Sequence, residues 1–541
     1  MKKNDHYEID IIDLGKNGEG IGRLDGFTFF VENALPGDRV EMQVVKLKRT
    51  YGYGKLMRIV TPSPHRVAPR CPVFDRCGGC TLQHMDYEAQ LDWKTKQVAD
   101  ALTRIGGVAN APVARTIGMD MPYAYRNKAQ YPIRSVDGHP TAGFFAARSH
   151  ALVPVDDCCT QHPANSAILR IVQDFLAEFG IPCYDEEAHT GLIRHVLIRC
   201  ALHTNEIMVC LIVNGNALPH KETLCERLAT LDGIVSIMLN INKARTNVIL
   251  GGECRALWGQ AFITDFIGDL RFEISPLSFF QVNPVQMETL YQTALDLADI
   301  QPTDNVADVY CGIGTLSLFF ARRAGTVYGV EIIQQAIDDA NRNARANGIT
   351  NAVFVADRAE CAMPALAQER NMAFDIVVLD PPRKGCDPAV LEAVVNLAPR
   401  KIVYVSCDPA TLARDVKVFA AAGYGVAAVR PVDMFPQTGH VETVVLLSKL
   451  KSTTSIEVKI DLDEMDLTQA ESKATYDEIK AYVLDKYGFK VSQLYIAQVK
   501  RKHGIIEREN YYTGEGKAKV PQVPEDKEKA IEDALKHFQM I

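Results

Sequence analysis

Lys401-Ile402-Val403-Tyr404-Val405-Ser406-Cys407-Asp408-Pro409 is the stretch from which the fold can be read. Its apolar run reads as a buried strand, and Cys407 stands at the carboxyl end, where open α/β sheets bind ligands and carry chemistry. Upstream, Val306-Ala307-Asp308-Val309-Tyr310-Cys311-Gly312-Ile313-Gly314 reads as a strand, a tight glycine loop and the start of a helix. Between them Asp375-Ile376-Val377-Val378-Leu379-Asp380-Pro381-Pro382 is a third strand with a carboxylate at its tip. Strands and helices alternate over residues 285–450, as a doubly wound sheet requires.

Around this region the chain has room for more. At 541 residues it is too long for one ordinary core. Met1-Lys2-Lys3-Asn4-Asp5-His6 has no apolar stretch behind its charges, and no run reaches the ~20 apolar residues of a membrane span. A cytoplasmic protein without a membrane partner is expected. Its 14 cysteines then read as reduced thiols, ligands or nucleophiles. A net charge of −8 argues against a uniformly basic nucleic-acid binder, though not against a local basic stripe.

Residues 1–62 supply such a stripe. Short apolar runs alternate with turns at Gly15, Gly18, Gly20, Gly22, Gly26 and Pro36-Gly37-Asp38, which argues a small β-barrel. Between Glu41 and Asp75 there is no acid, but Lys46, Lys48, Arg49, Lys55, Arg58, Arg66 and Arg70 occur, with Tyr51 and Tyr53 among them. Basic charge attracts phosphate, and a base stacked on an aromatic is worth ~1–3 kcal/mol. The competing reading is a solvated barrel face. Residues 63–284 form a central mixed region: a linker at Pro62-Ser63-Pro64-His65, a helix over 85–105, and strands at Leu192–Cys200, Glu206–Val213, Ile234–Ile241 and Asn247–Leu250. After a linker at Ser452-Thr453-Thr454-Ser455, residues 451–541 read as a small α/β module with a charged strand-like run and helices near 474–487 and 525–538. Its Lys500-Arg501-Lys502-His503 is either an RNA contact or a solvated helix face.

Gly312 and Gly314 let the backbone approach a ligand closely. Ser317 stands where a dinucleotide fingerprint needs its third glycine, while Val327-Tyr328-Gly329-Val330-Glu331 is a second strand ending in an acid suited to ribose hydroxyls. An adenosyl ligand without pyrophosphate, S-adenosylmethionine, fits better than NAD. A strand-end cysteine beside it suggests methyl transfer through a covalent thioether. Carbon 5 of uracil becomes nucleophilic once a thiolate adds to carbon 6, and a base must later remove the carbon 5 proton. Cys407 is the candidate nucleophile, in need of local electrostatic help to ionise. Glu442, in Gly439-His440-Val441-Glu442-Thr443, is the candidate base. Separately, Cys71, Cys77 and Cys80 lie close enough to hold a metal, with Cys158-Cys159 the nearby pair that can complete the set. Spacing leaves zinc and iron–sulfur both open.

Ser406-Cys407-Asp408-Pro409-Ala410-Thr411-Leu412-Ala413-Arg414-Asp415 and Met434-Phe435-Pro436-Gln437-Thr438-Gly439-His440-Val441-Glu442 resemble two signatures of the S-adenosylmethionine-dependent RNA uracil-C5 methyltransferase family. Leu379-Asp380-Pro381-Pro382-Arg383-Lys384-Gly385 and Phe279-Phe280-Gln281-Val282-Asn283 are similar to two further motifs of that family. The opening barrel resembles the TRAM domain of its ribosomal RNA branch. The resemblance implies a multi-domain α/β protein: a TRAM/OB-like β-barrel over 1–62, a central β-rich domain with an iron–sulfur segment over 63–284, a Rossmann-like methyltransferase domain over 285–450, and an accessory module over 451–541. It implies Cys407 as nucleophile and Glu442 as base, with Gln281, Tyr310, Glu331 and Asp380 at cofactor-contact positions beside Gly312 and Gly314. Asp357, after the third strand, is expected toward the adenine. Thr315 stands where the family often has Asn. A [4Fe-4S] cluster on Cys71, Cys77, Cys80 and Cys158 is implied as well. The implied substrate is a specific uridine of 23S ribosomal RNA, with no obligate protein partner and a monomeric enzyme. The rivals are the same reaction on transfer RNA, amino-group methylation of adenine, and a non-catalytic iron–sulfur RNA scaffold. The barrel and the cysteine cluster favour ribosomal RNA, since bacterial transfer-RNA members typically lack both.

Overall fold

The structure, a computed structural model, describes residues 1–450, 476–503 and 523–537. They belong to two compact units, Met1–Lys451 and Ser452–Ile541. The first opens with β1 (His6–Leu14), β2 (Gly20–Leu24), β3 (Phe27–Val31), β4 (Arg39–Leu47) and β5 (Tyr51–Thr61), closed into a barrel in the order β1-β2-β3-β5-β4. In Tyr51-Gly52-Tyr53-Gly54 the glycines face inward, because a Cβ on Gly52 would stand 2.6 Å from the Phe29 ring. The tyrosines face outward, where Tyr51 and Tyr53 cluster with Phe30 at ring separations of 5.6 and 5.9 Å.

Not all of the expected basic stripe is offered to solvent. Lys46, Lys48, Arg49 and Lys55 are exposed. Arg58 pairs with Glu41 at 3.3 Å, and Arg70 lies 4.9 Å over the Tyr123 ring. Arg66 turns inward to the buried Asp38 carboxylate and the Asn33 carbonyl, so it belongs to a structural turn and not to the stripe.

Helix α1 (Tyr87–Arg104) begins at Asp86, whose side chain accepts from the Ala89 N–H, and buries Leu91, Val98 and Leu102. Next come β6 (Lys128–Val136), β7 (His139–Phe145), β8 (Leu152–Pro154), α2 (Ala164–Glu178), β9 (Ile193–Cys200), β10 (Ile207–Val213), α3 (Lys221–Leu228), β11 (Ile234–Ile241) and β12 (Glu253–Gly259). These strands form one sheet, β12-β11-β10-β9-β6-β7-β8. β9 and β10 are buried throughout because both faces are covered. One face packs on α2 and α3, while Leu197, Met208 and Cys210 join the core of the catalytic region. The strand expected at Asn247–Leu250 is absent. The Asn242 amide donates to the Val248 and Ile249 carbonyls at 2.7 and 2.9 Å, so side chains satisfy this backbone in place of a partner strand.

A hairpin of β13 (Ile263–Ile267) and β14 (Leu270–Ile274) leads to α4 (Pro284–Ala298) and the alternating region. That region comprises β15 (Asn305–Val309), α5 (Thr315–Ala321), β16 (Thr326–Glu331), α6 (Gln334–Ala346), β17 (Ala352–Ala356), α7 (Ala359–Glu369), β18 (Ile376–Leu379), α8 (Pro388–Leu397), β19 (Lys401–Ser406), α9 (Pro409–Ala421), β20 (Tyr424–Val432) and β21 (Glu442–Lys449). The sheet order is β17-β16-β15-β18-β19-β21-β20. The first five strands are parallel, and β21 runs antiparallel to both β19 and β20. The order reverses between β15 and β18, the switch point where such sheets open a crevice at their carboxyl ends.

In the second unit α10 (Tyr476–Tyr487), α11 (Gln493–Lys502) and α12 (Glu525–His537) pack around Ile479, Val483, Ile496, Ile531 and Leu535. Of the Lys500-Arg501-Lys502-His503 cluster, Lys500 is buried, while Lys502 and His503 are exposed, Lys502 pairing with Glu528 and His503 lying 2.9 Å from Glu532. The linker at 452–455 and the charged strand-like run lie outside the described residues. Among the described residues no helix is long and apolar enough to cross a membrane.

Candidate active site

Five parallel strands present their carboxyl ends to one edge, so their tips meet without any further device. β15 ends at Val309, and Tyr310 turns the chain with φ +70°, its N–H donating to the Val330 carbonyl at 2.9 Å. Gly312 follows at φ +55°, a left-handed conformation, with open space where a Cβ would stand. Gly314 at φ +82° caps α5, and a Cβ there would meet the Phe354 ring at 3.0 Å and Ala340 at 3.1 Å.

One cavity of about 870 Å³ lies above these tips. Gln281, Tyr310, Gly312, Glu331, Asp357, Asp380, Cys407 and Glu442 all line it. Gly314 does not; its place is beneath the loop, where it permits the turn. The Thr315 hydroxyl is engaged by Tyr291 at 2.9 Å. Phe279, Arg383, Phe435 and His440 also line the cavity, although the residue-by-residue reading assigned them nothing. Their only signal was membership of the four motif stretches.

Charge in the cavity is unusual. Burial pushes the Asp308 and Asp380 carboxyls up to about 7. Burial, with the Asp380 charge beside it, pushes Glu442 up to about 8, against the pull of Arg383. One Asp308 oxygen accepts from the Ser317 hydroxyl, and the other finds no protein partner among the described residues. Cys407 meets the opposite of the expected help: burial and then the Glu442 charge push its thiol up to about 12, with Arg383 the opposing cation. At neutral pH the free site holds a thiol. Asp408, next in the chain, caps α9 by accepting from the Ala410 N–H at 2.9 Å and pairs with Lys16 of the barrel at 2.6 Å.

Three carboxyls that stay protonated to about 7 or 8 in the folded protein ionise near 4 in the unfolded chain. Between those values the native state binds more protons, so the stability of the ligand-free protein should fall as pH rises from 5 to 8. Glu442→Gln removes one contribution, on the order of a few kcal/mol. Melting temperatures measured across that window should therefore decline less steeply in the variant. Parallel curves for the two proteins would contradict the shift at Glu442.

The cysteines enclose a second cavity of about 270 Å³, lined by Cys71, Cys77, Cys80 and Cys158 with Val73, Phe74, Phe144, Val155 and Arg126. Cys159 is not part of this wall, and its thiol meets the Gln83 amide at 3.5 Å. Burial raises the thiols of Cys71 and Cys77, and that of Cys80 to about 12. Among the described residues no three His, Cys, Asp or Glu side chains converge tightly enough for a single metal ion.

Residues 268–450 match the tRNA (uracil-5-)-methyltransferase family, and residues 2–57 match the TRAM domain. An uncharacterized RNA methyltransferase of Halalkalibacterium halodurans is 49% identical over 448 residues, covering 83% of this chain and 98% of that protein. The chain belongs to the RNA uracil-5 methyltransferase family. Another uncharacterized RNA methyltransferase, from Clostridium tetani, is 46% identical over 449 residues, covering 83% of this methyltransferase and 97% of its own length. The solved structure of the Pyrococcus abyssi tRNA (uracil-54, C5)-methyltransferase with S-adenosyl-L-homocysteine is similar, with a TM-score of 0.66 and 28% identity. It covers 82% of this methyltransferase and 100% of the archaeal chain.

Proposed function

We propose that this methyltransferase modifies carbon 5 of a specific uridine in 23S ribosomal RNA, with S-adenosylmethionine as donor and Cys407 as covalent nucleophile. The observation that carries the mechanism is that Cys407 and Glu442, 35 positions apart and on strands of opposite direction, line one cavity. The cavity fits the donor: Gly312 leaves an open face, Glu331 ends the second strand, and Asp308 keeps one buried oxygen without a partner. When bound, the donor supplies an electrophilic methyl group. Cys407, its thiol proton given up to solvent, adds as the thiolate to carbon 6, and the carbon 5–carbon 6 π electrons move onto the carbonyl as an enolate, whose carbon 5 would take the methyl group and leave S-adenosylhomocysteine. After carbon 5 is methylated, Glu442 takes its proton and the thiolate leaves carbon 6, restoring the double bond. A carboxylate of pKa about 8 is a far better base for this step than an ordinary glutamate.

Cys71, Cys77, Cys80 and Cys158, which line one cavity, are the residues that would hold a [4Fe-4S] cluster. Methyl transfer needs no electron, so the cluster would act as a structural cross-link. Protein purified without oxygen should be brown with about four irons per chain, and Cys77→Ser should bleach it. Stoichiometric zinc and a colourless protein would overturn the assignment.

RNA reaches the site across the barrel, where Lys46, Arg49 and Lys55 are exposed. Neutralising the three should weaken RNA binding and flatten its log–log salt dependence by about 0.7 per charge removed. An unchanged slope returns them to the solvated face. Transfer RNA remains the second reading, favoured by the likeness to the archaeal enzyme across that chain's full length. Mapping 5-methyluridine in both RNAs from a deletion strain decides: loss from transfer RNA alone transfers the proposal to that substrate.

A further inference from the structure

The connection from β20 to β21, residues 433–441, brings Phe435 and His440 to the cavity wall and delivers Glu442. Inside it Gln437 is held at φ +69°, a left-handed conformation that a residue with a Cβ keeps only when its surroundings enforce it. Those surroundings are the cysteine segment and α1. The Gln437 carbonyl accepts from the N–H groups of both Thr81 and Leu82 at 3.0 Å. The Thr81 hydroxyl accepts from the Gly439 N–H at 3.1 Å. Gln90 of α1 closes a two-way pair with Gln437, donating to its side-chain oxygen and accepting from its N–H, both at 3.1 Å.

The residue before Thr81 is Cys80, which lines the cysteine cavity. Tyr125 donates to the Pro436 carbonyl at 2.9 Å. Its neighbour Arg126 lines the cysteine cavity and also stands 5.8 Å over the Phe435 ring, itself part of the active-site wall. Two short pieces of chain therefore touch the cysteine site on one side and the loop that ends in Glu442 on the other.

We propose that Thr81 and Arg126 are positioning residues through which the cysteine site sets the place of the Glu442 carboxylate. The inference rests on the reading of Glu442 as base and of the cysteines as cluster ligands. Occupancy of the cysteine site then acts on the elimination step rather than on attack by Cys407, which stands between β19 and α9 outside the 433–441 loop that the clamp holds.

The test uses the full chain, purified without oxygen. Thr81→Val keeps the backbone bonds and removes the acceptor for Gly439; Arg126→Met removes the cation. Both variants should form the covalent adduct with RNA carrying 5-fluorouridine at the wild-type rate. Their turnover on normal RNA should fall about ten- to a hundredfold, with adduct accumulating. Amide exchange of residues 434–442 should quicken in both and in Cys77→Ser, while exchange in β15 and β18 stays unchanged. Gln437→Ala opens the clamp from the other side and should show the same split, which covers the case of a cysteine-side variant that does not fold. Wild-type turnover and exchange in these variants, or equal slowing of adduct formation and elimination, overturns the proposal. A wild-type protein that forms no adduct at all sinks the methyl-transfer reading instead, and loop exchange in Cys77→Ser then decides the clamp alone.

Discussion

Cys407→Ala is expected to abolish methyl transfer, by on the order of a thousandfold or more, because the other thiol of the cavity wall, Cys311, is buried in the glycine turn and does not stand at the β19 tip. The uracil must leave its stack to reach the thiol, at a cost of a few kcal/mol that falls where the target is unpaired. Cys407 is half-buried at the end of β19 on the cavity wall, so a base inserted into that cavity meets it. RNA carrying 5-fluorouridine at the target should trap the wild-type enzyme, since fluorine replaces the proton that Glu442 removes. Glu442→Gln should accumulate the same kind of adduct on normal RNA, with the nucleophile intact and the base gone. Mass spectrometry of the peptide around residue 407 identifies the bond. An adduct on another cysteine, or turnover by Cys407→Ala, would reject the mechanism.

Lys94→Met should cost about 3–5 kcal/mol of stability and lower the melting temperature by several degrees. Lys94 lies on α1 with no exposed side-chain surface, its ammonium 2.5 Å from the equally buried Asp433 carboxylate. It also donates to the Phe435 carbonyl at 3.1 Å, and Tyr87 donates to Asp433 at 2.9 Å. Removing the lysine leaves a buried charge with too few partners. Turnover should fall along with stability, because Asp433 begins the loop that leads to Glu442. Lys94→Met with Asp433→Asn removes both charges and keeps an acceptor for Tyr87, so most of the loss should return. A single variant as stable as the wild type, or a double variant no better than the single, would show that the pair is not an ion pair in the folded protein.

How much of this was legible beforehand depends on how local each feature is. Tyr310, Gly312, Glu331, Asp380 and Cys407 each stand at or just past the end of their own apolar run. A parallel sheet aligns such ends at one edge, so reading each strand tip was enough to assemble most of the cavity. The barrel was equally legible, since glycine at Gly52 and Gly54 marks the inward side of β5 as plainly as apolar residues do elsewhere. The strand expected at Asn247–Leu250 failed because Asn242, several residues away, takes up the Val248 and Ile249 carbonyls.

By itself the sequence determined the strand tips, the glycine turn, the barrel and the place of Cys407 at the end of its strand, because those follow from neighbours along the chain. Tertiary structure alone decided that Glu442, at the start of an antiparallel strand, meets the same edge as Cys407, and that burial raises its carboxyl to about 8 and pushes up the Cys407 thiol. It also separated Cys158, on the cavity wall, from Cys159, bonded to Gln83, and turned Arg66 inward and Lys502 toward Glu528. Charge and burial are set by groups tens to hundreds of positions distant, and the order of residues along a chain does not contain their separation in space.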